Sequence, residues 1–134
     1  MTDPLDDLRI LIRHASRSPQ VEWAQVLQTI VKALQDSLAV MDEEVEIDGF
    51  VDAFADGEGA ILAIVRDEDR RPALLLRRGE NAVEIAYGNT VKLPGHGQWD
   101  FVESSLEGLL AFDDVTEDAV IRAVTTFVRR NVFD

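Results

Sequence analysis

The sequence predicts an α+β fold: two N-terminal helices, an antiparallel meander of four to five strands, and one or two C-terminal helices. Three observations predict it. The first third repeats apolar residues at spacings of three and four, the helical period. The middle third breaks into short apolar or alternating runs divided by turn-forming residues. The last third returns to the helical spacing. The length of 134 residues suits one ordinary domain, so 1–134 is expected to be a single globular unit.

Residues 3–15 are expected to form a short helix, with Pro4 in the first turn and Asp6 and Asp7 near the positive end of its dipole. "SRSP" breaks it. Ser18 then caps a second helix, Pro19 takes the first helical position, and the pattern runs to about residue 40. Trp23, Leu27, Ile30, Leu34 and Leu38 form its apolar stripe, widened by Val26 and Val31. Such a helix is built to lie on a sheet.

"FVDAFA" (50–55) alternates and reads as the first strand; "DGEG" turns the chain. "AILAIV" (60–65) and "ALLL" (73–76) are apolar at every position. "AVEIAY" (82–87) puts Val83, Ile85 and Tyr87 on one face and Ala82, Glu84 and Ala86 on the other. "GN" reads as a further turn, "TVKL" as a short edge strand, and "QWDFV" (98–102) as one more strand. "ESSLEGLLAF" reads as a short helix. A longer one follows in "DVTEDAVIRAVTTFVRR", capped by Thr116, acidic at its start and basic at its end, with Val120, Val124, Phe127 and Val128 facing inward.

The two continuous apolar runs are the central strands of the meander. Strands buried on both faces read as unbroken apolar runs, so both sides of the sheet's centre must be covered. Helices mainly on one face, with a second copy of the chain across the other, is favoured over helices divided between the faces.

Composition bounds the environment. There is no cysteine, which removes disulfides, thiolate chemistry and Cys-based zinc sites. No apolar run approaches the roughly 20 residues of a membrane span. The start of the chain is acidic and lacks a secretory signal's pattern, so a cytoplasmic location is expected. Acidic residues number 26 against 13 basic ones, a formal net charge of -13, and only Lys32 and Lys92 are lysines. This acid-rich, lysine-poor composition resembles that of proteins from salt-loving archaea; the alternative is an acidic protein of a high-GC bacterium. Self-repulsion of this size is largely screened at about 1 M salt, where the Debye length is about 3 Å. On the halophilic reading, circular dichroism should show loss of structure as potassium chloride falls from molar to millimolar. A chain fully folded at low salt would count against that reading. Anionic membranes and free nucleic acid are disfavoured as partners by the overall field.

Chemistry-bearing groups are sparse. His14 falls near the end of the first helix. His96 sits between two glycines in "LPGHGQWD", where it could converge with Trp99 and Asp100 on a ligand; the plainer reading is a turn with Trp99 in the core. No G-x-S-x-G elbow, phosphate loop or calcium-loop spacing is present, and the acidic "MDEEVEIDG" reads as a solvated strand lead-in. Arg66, Arg70, Arg71, Arg77 and Arg78 fall within thirteen residues, a local exception in an acidic chain. They could bind a small anion, but acidic residues interleave with them and would pair with them.

The order of helices, meander and helices resembles that of small adaptor and chaperone-like domains that dimerise and bind partner segments. The resemblance covers element order alone. The functional expectation is a non-enzymatic protein–protein interaction module, homodimeric, acting through an apolar surface or an edge strand, with no cofactor and no metal. The alternative is a small-ligand or anion-binding regulatory domain using Arg70, Arg71, Arg77, Arg78, His96, Trp99 and Asp100. A ligand-induced rise in melting temperature would mark that alternative. A transcription regulator using the first two helices is the weakest reading.

Overall fold

In the computed structural model, helix α1 spans Pro19–Val45 and strands β1 to β5 span Gly49–Phe54, Gly59–Ile64, Pro72–Arg78, Ala82–Lys92 and Trp99–Ala111. Helix α2, Glu117–Asn131, follows. The structure describes residues 4–5, 19–67, 70–92 and 99–132. Of the first expected helix, only Pro4 and Leu5 are described, and both are helical. Ser18, the expected cap of α1, lies outside the described residues. The α+β class and the antiparallel meander are as expected, with five strands in the order β1-β2-β3-β4-β5. No helix among the described residues is long and apolar enough to cross a membrane.

Helix α1 runs five residues past the expected end, so the first part of "MDEEVEIDG" is helical rather than a strand lead-in. The apolar stripe decides this. Met41 continues it after Leu34 and Leu38 and packs against the core. The helix stops at Glu46, whose φ is 50° and whose amide donates to the Asp42 carbonyl at 3.0 Å. That is a left-handed C-terminal cap, a place where a side chain is strained and glycine is not. Glu46→Gly is expected to raise the unfolding free energy by about 0.5–1 kcal/mol, with relief of strain exceeding the gain in unfolded-chain entropy. Urea titration against the wild type checks it.

Two further expectations are corrected. "GN" is not a turn: Gly88 and Asn89 lie inside β4, and Thr90, Val91 and Lys92 of "TVKL" are the end of that same strand, with Leu93 outside the described residues. Gly88 is required for space. A Cβ there would sit 2.2 Å from the Val102 carbonyl and 2.8 Å from the Phe101 ring. "ESSLEGLLAF" is not a helix: most of it is the second half of β5. The long β4 needs a partner for its backbone groups, and β5 pairs with it from Lys92↔Trp99 to Ala82↔Ala111. Local helical spacing lost to that pairing, and Gly108 weakened the helix further.

The expected C-terminal helix is present. The Thr116 hydroxyl accepts from the Ala119 amide at 3.1 Å, acids stand in the first turn and Arg129 and Arg130 in the last. Between β5 and α2 the chain makes one 3-10 turn at Phe112–Asp114.

The sheet's two faces carry different cores. On one face Leu62, Ile64, Leu74, Leu76 and Val83 pack with Ile30 and Leu34 of α1 and Val120 and Phe127 of α2. Both described helices lie on this side. On the other face Ile61, Ala63, Ala73, Leu75 and Ala86 are equally buried. Phe50 and Phe54 of β1 and Trp99 and Phe101 of β5 pack against them. These rings meet across the face, Phe50 with Trp99 at 5.3 Å between centroids and Phe54 with Phe101 at 6.2 Å. In a flat sheet the outer strands would be about 19 Å apart, four spacings of about 4.8 Å. The sheet therefore curls until its edges' aromatic side chains touch. Two bulges help: Ser104 and Glu107 of β5 have no partner in β4, and bulges bend a strand. So the second face is already buried within one chain, and the second copy expected across it is not needed there.

Candidate functional site

The exposed apolar surface lies elsewhere. After α1 and α2 commit their main stripes to the sheet, each keeps a flank of apolar residues beside the other. Val40 and Met41 of α1 face Ile121, Val124 and Val128 of α2 across a groove of about 430 Å³. Val40 is 58% exposed and Ile121 is 40% exposed. Asp36, Ser37, Thr125 and Arg129 complete the lining. The two hydroxyls donate their protons within their own helices. Ser37 donates to the Ala33 carbonyl at 2.7 Å and Thr125 to the Ile121 carbonyl at 2.8 Å. Each hydroxyl is thus satisfied by its own helix, and the groove is apolar in effect. At the N-terminal side of α2, Lys32 and Glu117 join the helices at 3.0 Å, and this contact raises the lysine's pKa.

Asp36 and Arg129 are the charged members of the lining, one from each helix. Among the described residues neither forms a close ion pair, although the charge of Asp36 acts on Lys32 one turn earlier on α1 and helps Glu117 to raise its pKa. The groove's formal charge is therefore zero in a chain of net charge -13.

A second exposed surface runs along β5. This strand is thirteen residues long and forms one edge of the sheet. Val102, Leu106 and Leu109 are more than half exposed, Leu109 most of all at 66%. Its acids are Asp100, Glu103 and Glu107, and it carries no basic residue.

The sequence-predicted site residues are dispersed. Arg70 and Arg71 stand before β3 and Arg77 and Arg78 at its far end, about 20 Å away along the strand. Arg70 pairs with Asp67 at 2.8 Å. Arg77 is clamped between Glu84 and Glu103, at 2.7 Å to each. The hydrogen bond to Glu84 holds its pKa above the ordinary value; partial burial opposes this and the charge of Glu103 adds to it. Arg78 lies over the Trp23 ring at 5.6 Å, and Trp23 donates to the Gly57 carbonyl at 2.7 Å. Arg66 reaches the Asn131 carbonyl at the end of α2. The Arg71 side chain alone of the candidate four has no carboxylate or ring partner among the described residues. His14 and His96 lie outside the described residues. Trp99 is part of the second core and donates to Asp52 at 3.2 Å. Asp100 accepts from the Phe101 amide at 2.9 Å.

Among the described residues no group of three or more metal-ligating side chains comes together. Comparisons of the chain with protein-family models, with curated proteins and with solved structures give no match.

The groove was missed in the sequence because the stripe argument stops at the residues that fit it. Val40 and Ile121 do not. A large apolar residue off the buried stripe of an amphipathic helix was the available signal.

Proposed function

We propose that this chain is a non-enzymatic protein–protein interaction module of an acidic, salt-rich cytoplasm, working through the groove between α1 and α2. The observation that carries the reading is the exposure of Val40 and Ile121 around an apolar, charge-neutral groove on a strongly acidic chain. Exposed apolar surface rimmed by polar groups is the usual mark of a protein contact. Two helices side by side offer the geometry that a further helix fills by ridges-into-grooves packing.

The test is a paired capture in high salt with wild-type bait and with Val40→Glu/Ile121→Glu bait. Circular dichroism and melting temperature establish that the variant folds. A protein bound by the wild type and lost from the variant supports the reading. Identical recoveries from both baits would sink it.

The alternative is anion binding through Arg71, whose side chain has no carboxylate or ring partner among the described residues. A rise in melting temperature with phosphate, abolished by Arg71→Ala, would favour it.

A further inference from the structure

We infer that the groove's occupant is a second copy of this chain, packed about a two-fold axis so that Asp36 of each copy meets Arg129 of the other. The inference rests on the interaction-module reading and names its partner. Three observations carry it.

The first is charge. Two copies that each carry -13 repel over most of their surfaces. The groove lining holds one acid and one base, so the apolar walls can meet there without adding repulsion. The β5 edge is a second surface on which copies could pair. Its Glu103 and Glu107 are already paired with Arg77 and Arg130 of their own chain, and with no basic residue on the strand it offers no ion pair to a second copy, while Asp100 meets like charge. Like charges placed opposite each other on paired strands are destabilising.

The second is self-complementarity. A two-fold interface uses the same patch on both copies, so every group must find its complement on that same patch. Asp36 and Arg129 lie on different helices, line the same groove and make no close ion pair within the chain among the described residues. A two-fold axis through the groove forms both pairs at once.

The third is chemistry. The walls present branched aliphatic side chains and Met41, and the two hydroxyls are already bonded to their own helices. Such walls favour an apolar occupant, and the same α1–α2 face of a second copy is one.

The lining is smaller than the 20–30 residues a side of a standard interface, so the dimer is expected to be weak, with a dissociation constant on the order of micromolar. Sedimentation velocity from about 1 μM to 1 mM should follow a monomer–dimer equilibrium in that range. The measurement belongs across a salt series in which the chain stays folded, because salt screens both the rim pairs and the repulsion between two copies of charge -13.

Asp36→Arg and Arg129→Asp should each weaken the dimer about tenfold or more, by facing like charges across the axis. The double variant should recover most of that loss, since the reversed charges pair again. Recovery is a result that misfolding cannot imitate. A chain that stays monomeric throughout, or a dimer indifferent to both reversals, overturns the inference. If the chain is monomeric while Val40→Glu/Ile121→Glu still loses a captured protein, the interaction reading stands and the second copy falls. If those groove substitutions change nothing, both fall.

Discussion

Phe127→Ala is expected to lower the unfolding free energy by about 3–5 kcal/mol. The ring is fully buried on α2 and meets Tyr87 of β4 edge-on, with centroids 5.3 Å apart. Val120 and Val124 lie in the same core on the same helix. Deleting the ring loses its transfer energy, leaves a cavity between helix and sheet, and removes an aromatic pair. Domains of this kind have a total stability of about 5–15 kcal/mol, so the loss is a large fraction. The melting temperature should fall on the order of 10–20 °C. Phe127→Leu keeps most of the volume and should cost about 1.5 kcal/mol or less. Thermal and urea unfolding followed by circular dichroism read both. A loss below about 1 kcal/mol for the alanine variant would mean that α2 is not anchored to the sheet through this ring. It would also remove the fixed wall on which the groove depends.

Gly88→Val is expected to cost about 3 kcal/mol. The new side chain would begin 2.2 Å from the Val102 carbonyl, a backbone atom of β5 that cannot rotate away. It would also press on the Phe101 ring, which packs against Phe54 of the opposite edge. The substitution therefore strikes the curl of the sheet at the bulge and at the aromatic contact together. Gly108→Ala is the matched comparison. It lies in β5, and a Cβ there meets nothing within 4 Å. That variant should be neutral or more stable by about 0.5 kcal/mol, through the entropy of the unfolded chain. Equal effects at the two glycines would mean that the close approach at Gly88 does not constrain the sheet. Urea midpoints of the two variants, compared at constant slope, separate these outcomes.

Most of the architecture was legible from periodicity. The stripe through Trp23, Ile30 and Leu34 and the unbroken runs at 60–65 and 73–76 are local statements about burial, and the structure buries all of those residues but Val65, which is half-buried past the end of β2. Thr116 as the cap of α2 was equally local, because a hydroxyl needs only the amide three residues on. The errors in the strands share one cause. At Gly88, Asn89 and 103–112 the local pattern favoured a turn and a helix, and a long-range partner strand overruled both. The candidate site was hardly legible. The arginine cluster is compact in sequence, but β3 carries its two halves apart, and three of its four candidate members meet a carboxylate or a ring.

The sequence by itself determined the class, the antiparallel meander between helices, the central strands and the acidity, because each follows from composition or from a period of a few residues. The tertiary structure alone decided which strands lengthen, how far the sheet curls and where apolar surface is left over. These depend on backbone pairing and on rings such as Phe50 and Trp99, which are 49 positions apart in the chain and meet only when β1 and β5 turn toward each other. The groove between α1 and α2 is such a remainder: Val40 and Ile121 stay exposed because the sheet had already taken the other face of each helix.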